Sequence, residues 1–205
     1  MIDQIFVIVG ITLLVMISPG PDMVIVTRNT IVGGRAAGLY TSLGILLGNF
    51  VHIAYCVVGI GWLISQSIVA FSILRYAGAA YLIYLGIMSL RSAGRKIELD
   101  MTASSENTKK IWLIEGFTNN ILNPKGTLFY LGVFTMIITP ETSISMVLVL
   151  IIVMKSVSAL FWLMFVYTLN LDVVRRSFEK SQKTVNRLFG GLLILLGIRV
   201  AAMDQ

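Results

Sequence analysis

Two short stretches of this chain hold residues that could do chemistry: Ser18-Pro19-Gly20-Pro21-Asp22 and Asn119-Asn120-Ile121-Leu122-Asn123-Pro124-Lys125. Each interrupts an apolar run with proline, and each adds a charge, of opposite sign in the two cases. Proline removes a helical hydrogen bond and clashes with the preceding turn. In hydrocarbon the freed backbone groups need partners inside the protein or in a water-lined cavity. An ionisable side chain in such a place marks a functional site by default. Pro21 can open a second half-helix, because its missing N–H costs nothing at a helix start, and Ser18 or Gly20 then precedes the new N-terminus. That N-terminus offers N–H donors and partial positive charge to a carboxylate. Asp22 offers a negative charge to an ammonium group or a proton. Asn123-Pro124 repeats the device, and Lys125 adds a cation. One acid, one base and exposed donors suit a zwitterion such as an amino acid, or another small polar solute.

Asp22 is the expected proton-coupling group; the alternative is a static Asp22–Lys125 ion pair joining two halves of the molecule. Lys155 is a third intramembrane charge, near Ser156 and Ser158, and is a candidate for the same cavity. Asn49 and His52 sit one turn apart, with Asn49 placed toward the cavity and His52 read as a packed, hydrogen-bonded residue. Asn119, Asn120 and Asn123 either contact substrate or satisfy the backbone freed at Pro124. Glu115 is expected to be solvated near the cytoplasmic surface, and Arg75 and Arg199 to snorkel at the outer face. Trp62, Trp112 and Tyr167 read as interfacial anchors. No catalytic residue, cofactor or metal site is expected: one cysteine, Cys56, and one histidine make neither a thiolate site nor a ligand cluster.

These residues need elements to hold them. The 205 residues are 57% hydrophobic and only 13% charged, with mean hydropathy +0.88. A soluble domain is about one-quarter charged, so the composition is that of an integral membrane protein. Six segments reach the roughly 20 apolar residues that a span needs: Ile5–Ile31, Leu39–Ile64, Val69–Leu90, Ile111–Ile138, Ile144–Leu169 and Val185–Met203. The first and fourth contain the breaks. Nothing in the N-terminus resembles a secretory signal, so the first segment is read as a retained span. The net charge of +6 does not indicate nucleic acid, because the basic residues cluster in three short loops. Arg28 and Arg35 mark the first; Arg91, Arg95, Lys96, Lys109 and Lys110 the second; Arg175, Arg176, Lys180, Lys183 and Arg187 the third. The intervening side has Asp3, Gln66, Glu141 and Asp204. The positive-inside rule therefore puts the basic loops in the cytoplasm and both termini outside.

The polar stretch from Ser92 to Thr108 reads as a cytoplasmic linker, which divides the chain into a three-helix unit at 1–91, a linker at 92–110 and a second three-helix unit at 111–205. Residues 79–87 and 190–198 match at five of nine positions, and the proline breaks fall in equivalent spans. Three spans per unit is an odd number, so the second unit enters the membrane from the opposite face. That is an inverted repeat, an arrangement that places substrate near the midplane on discontinuous helices. Gly44 and Gly48 form a small-xxx-small pair, and Gly78, Gly86, Gly190, Gly191 and Gly197 offer further close-approach points. Packing within one chain is the favoured reading, though a homo-oligomer is compatible with it.

The run from Ser18 to Met23, then Arg28, Gly33-Gly34-Arg35, Gly38, Gly44 and Gly48, resembles the LysE/RhtB family of amino-acid exporters. Gly116-Phe117, Asn120, Asn123-Pro124-Lys125 and Leu128-Phe129 resemble that family's Asn-Pro-Lys segment. The resemblance covers nearly the whole chain, and only Lys155 does not map onto the pattern. It implies a bacterial inner-membrane protein that exports amino acids or close derivatives by proton antiport. With Asp22 as the sole deep acid, neutral amino acids such as homoserine, threonine or branched aliphatics are favoured over cationic ones. The competing readings are a cation or metal exporter of the same superfamily, an intramembrane enzyme, a passive channel and a scaffold. The first two lack the necessary ligand or catalytic clusters.

Overall fold

Both proline stretches end helices. α1 (Ile2–Ile17) stops at the first, with a last bond from the Ser18 N–H to the Leu14 carbonyl at 3.0 Å. α2 (Pro21–Gln66) restarts the chain, and its first bond runs from the Val24 N–H to the Gly20 carbonyl at 3.1 Å. α4 (Lys109–Ile121) runs out through Leu122 and Asn123, whose N–H groups bond back to Thr118 and Asn120. Pro124 has no N–H to continue the ladder and instead opens α5 (Pro124–Ile137). The Asn123 side chain caps α5 by accepting from the Lys125 N–H at 3.0 Å. The remaining helices are α3 (Ile68–Arg91), α6 (Ile144–Thr168) and α7 (Asp172–Ala201).

This computed structural model describes residues 2–18, 20–91, 108–139, 142–169 and 172–202. Pro19, Glu141, Asp204 and residues 92–107 of the linker expected over 92–110 lie outside the described residues. So do the side chains of Asp3, Trp62, Gln66, Arg75 and 172–183.

Among the described residues every element is helical. The stretches Pro21–Gly61, Ser72–Arg91 and Ile144–Thr168 are each long and apolar enough to cross a membrane. The protein is an integral membrane protein. Its large apolar side chains on the outside, such as Leu47, Val58, Ile152 and Leu195, suit lipid rather than water. α1, α4 and α5 have 16, 13 and 14 residues. At about 1.5 Å per residue none reaches across a roughly 30 Å core alone.

Two boundaries differ from the sequence reading. The expected first loop shrinks to one residue, Gly34, with φ 73° and ψ −173°. That conformation is essentially restricted to glycine, so α2 turns sharply there into arms 21–33 and 35–66. α7 begins at Asp172 rather than Val185, because lysine, arginine, glutamine and glutamate are helix formers. The polar stretch extends the helix instead of forming a loop.

Glycine sets the closest approaches. A Cβ on Gly44 would strike the Leu113 carbonyl, and one on Gly116 the Thr41 carbonyl, so the second arm of α2 and α4 touch backbone to backbone. A Cβ on Gly86 would lie 2.6 Å from the Gly190 carbonyl, and one on Gly190 the same distance from Gly86. One on Gly197 would lie 2.7 Å from the Ala79 carbonyl. α3 and α7 therefore run antiparallel in close contact, as small residues permit in lipid.

Candidate functional site

The two breaks meet. Asp22, in the first turn of α2, accepts at Oδ1 from the side-chain amides of Asn119 (2.7 Å) and Asn123 (3.3 Å) and at Oδ2 from Asn120 (2.8 Å). Hydrogen bonds to an ionised acceptor are about twice as strong as neutral ones. The end of α4 and the cap of α5 are thus tied to the start of α2. Lys125, in the first turn of α5, reaches back across the other break and donates from Nζ to the Ser18 carbonyl at 3.2 Å. Gly20 leaves room for it: a Cβ there would stand 3.3 Å from Nζ.

Ser18, Gly20, Asp22, Asn49, Asn123 and Lys125 all line one small cavity of about 60 Å³. Asp22 and Lys125 therefore face a common space, with apolar walls from Val15, Met16, Ile45, Phe129 and Tyr130. A carboxylate, an ammonium group and neutral polar side chains around an apolar chamber can hold a small zwitterion.

A family profile described as LysE type translocator matches residues 13–204. The chain belongs to this family. The LysE-type chain is 31% identical over 195 residues to the homoserine/homoserine lactone efflux protein of Salmonella typhi, covering 92% of this chain and 91% of that one. It is 29% identical over 199 residues to the uncharacterized membrane protein YrhP of Bacillus subtilis, covering 93% and 95%. It is 25% identical over 205 residues to the uncharacterized membrane protein YahN of Escherichia coli, covering 97% and 89%. No solved structure matches. The family and the efflux relatives make the protein a transporter.

In this LysE-type translocator the other candidates fall in different places. Asn120 is outside the cavity lining and acts on it through Asp22. His52 is packed: its ring stacks on Tyr130 at 6.3 Å, and Nε2 lies 3.0 Å from the Asn120 carbonyl. A carbonyl only accepts, so Nε2 carries the proton. Nδ1 then faces the hydroxyls of Tyr55 (2.6 Å) and Thr127 (3.1 Å). Lys155 is not in the cavity lining. Its Nζ donates to the Leu46 carbonyl at 2.6 Å and sits 4.1 Å from the Phe50 ring centroid. A cation over an aromatic face is attracted by the ring quadrupole, and here the pairing pins α6 to α2.

Two expectations are corrected. Glu115 is not freely solvated: its Oε2 accepts from buried Asn29 at 2.9 Å and lies 3.8 Å from the Arg28 guanidinium. Trp112 is buried, with its ring against Gly33, because the tight turn at Gly34 folds the first arm of α2 onto α4. Tyr167 is exposed, with Arg35 5.2 Å above its ring. The sequence reading missed Thr12 and Trp162, both of which line the cavity.

Proposed function

We propose that this protein exports a small neutral amino acid across the cytoplasmic membrane in exchange for protons. The observation that carries the reading is the single cavity shared by Asp22 and Lys125, one from each proline break. A substrate α-ammonium replaces the asparagine amides at Asp22, and the α-carboxylate goes to Lys125. Asp22 binds either the ammonium or a proton, never both. A proton picked up on the outer side is released to the cytoplasm when the next substrate binds, which couples efflux to the proton gradient.

The alternation rests on two inverted three-helix units with both termini outside. Residues 79–87 align with 190–198, and under that alignment the Gly86–Gly190 contact becomes the Gly197–Ala79 contact. Antiparallel helices that exchange their contacts in this way are related by a two-fold axis across them, as inverted repeats require. α1 followed by the first arm of α2, and α4 followed by α5, then make one broken span each, giving six. The relative from Salmonella typhi, a homoserine/homoserine lactone efflux protein, supports homoserine or an amino acid of similar size.

The test is efflux of labelled amino acids from preloaded cells that lack their own exporters. Wild type accelerates loss of at least one neutral amino acid. Asp22→Asn keeps the shape and one of the two amide-accepting oxygens and is expected to abolish proton-driven export while the protein still reaches the membrane. Export by Asp22→Asn at the wild-type rate removes Asp22 from the mechanism. No accelerated efflux across a broad amino-acid panel rejects the reading itself.

A further inference from the structure

The charged groups account for the two ends common to every amino acid, and they leave unused two buried donors on residues that line the cavity. The Thr12 hydroxyl and the Trp162 indole N–H have no hydrogen-bond partner among the described residues. Both side chains are nearly fully buried, at 3% exposure each. Other buried threonines of this chain behave differently. Thr30, Thr41 and Thr135 each donate to the carbonyl one turn back, at 2.6, 2.8 and 2.9 Å. That is the usual way for a helical threonine to satisfy its hydroxyl. Thr12 does not take it, although it too lies within a helix. A buried polar group without a partner is costly and needs an explanation, such as a ligand.

Four further unpartnered atoms occur on Arg28, Asn29, Ser42 and Asn120, and none of those residues lines this cavity. Thr12 comes from α1 and Trp162 from α6, helices that pack together. Ser158, one turn before Trp162, lines the same chamber. The wall formed by α1 and α6 thus differs in kind from the charged wall at the breaks. It is apolar in outline, through Val15 and Met16, with unspent donors.

We propose that Thr12 and Trp162 form a side-chain subsite that selects amino acids whose short side chain bears an oxygen acceptor, a hydroxyl or a carbonyl. An indole N–H only donates, so the matching substrate atom accepts; the Thr12 hydroxyl can give or take a second hydrogen bond to the same oxygen. An aliphatic side chain of equal size fills the space and leaves both groups unpaired. A site built to hydrogen-bond a substrate hydroxyl rejects the analogue lacking it far more strongly than it rejects a changed methylene. This inference rests on the amino-acid export reading and narrows it, excluding branched aliphatics as preferred cargo.

The experiment uses the full-length protein in proteoliposomes under an inward proton gradient. Initial efflux rates are compared within two near-isosteric pairs, homoserine against norvaline and threonine against valine. Wild type is expected to favour the hydroxylated member of at least one pair by roughly tenfold or more. Thr12→Val keeps the shape and deletes the hydroxyl; Trp162→Phe keeps an aromatic ring and deletes the N–H. Each is expected to bring that ratio to within roughly threefold by slowing the hydroxylated substrate and sparing its partner. A purely structural role for either residue would slow both members together and leave the ratio unchanged. A wild-type ratio near one in both pairs, with clear transport, overturns the subsite and leaves amino-acid export standing. So does an unchanged ratio in the Thr12→Val protein. Failure of wild type to move any of the four overturns both.

Discussion

Gly48 meets the site through a side chain. A Cβ at position 48 would lie 2.5 Å from the Asn120 side-chain oxygen, and the same amide holds Asp22 from its nitrogen. Gly48→Ala therefore forces the Asn120 amide to turn away from Asp22. We expect efflux to fall several-fold while the detergent-solubilised protein keeps nearly the wild-type melting temperature. Gly116→Ala has the opposite signature, because its clash is with the Thr41 backbone. Relieving that clash separates α2 from α4, and overpacking of this kind costs about 1–3 kcal/mol. Equal losses of stability in the two variants would refute the distinction. The contrast also shows which residues are legible in sequence. Asp22, Asn123 and Lys125 are visible because a charge or a proline inside an apolar run is anomalous whatever surrounds it. Thr12 and Trp162 are not, since a threonine in a helix ordinarily bonds its own backbone and a tryptophan among apolar residues ordinarily reads as core. Their meaning lies in the partners they lack, which only three-dimensional placement reveals. Glu115 was misread for the same reason: its partners Arg28 and Asn29 lie far away along the chain.

Among the elements, the hinge within α2 is the most exposed to a single substitution. Gly34 has φ 73° and ψ −173°, a region that a residue with a Cβ enters only at a cost of about 1–3 kcal/mol. Nothing lies within 4 Å of a Cβ built there, so the penalty of Gly34→Ala is one of backbone conformation alone. Thermal unfolding in detergent should show that loss, and a larger side chain at 34 should add little to it. A wild-type melting curve would mean that the turn relaxes to another geometry. The helix breaks were readable because proline dictates them. The tight turn was not: Gly33-Gly34 marks a change of direction, but the number of residues spent on it depends on how closely the first arm can fold back. Trp112 stacked on Gly33 decides that, and it comes from α4. The start of α7 was missed because a run of basic residues was read as orientation, when the same residues also favour helix.

In the whole molecule, Arg35 and Lys109, from two of the basic stretches, lie at one end, and this supports the proposed orientation. The first arm of α2 runs antiparallel to α4, since Asp22 meets Asn119, Asn29 meets Glu115 and Gly33 meets Trp112 in succession. The Gly34 turn and the start of α4 are therefore neighbours. Lys109 stands 5.5 Å over the Tyr40 ring, and Arg35 stands 5.2 Å over Tyr167 near the close of α6. Arg35, Lys109 and the close of α6 lie together, as the positive-inside rule would ask of a cytoplasmic face. α7 then leads away from that face, and its antiparallel partner α3 leads back toward it. A periplasmic reporter fused after Gln205 should be active, and the same reporter fused after Arg35 inactive. Replacing Lys109 and Lys110 with glutamine should leave the fold intact but weaken this asymmetry, producing a mixed population rather than a clean inversion. Both fusions inactive would put residue 35 and the C-terminus on the same side and break the six-span, inverted arrangement. The topology experiment thus tests the inverted arrangement on which the proposed alternation rests.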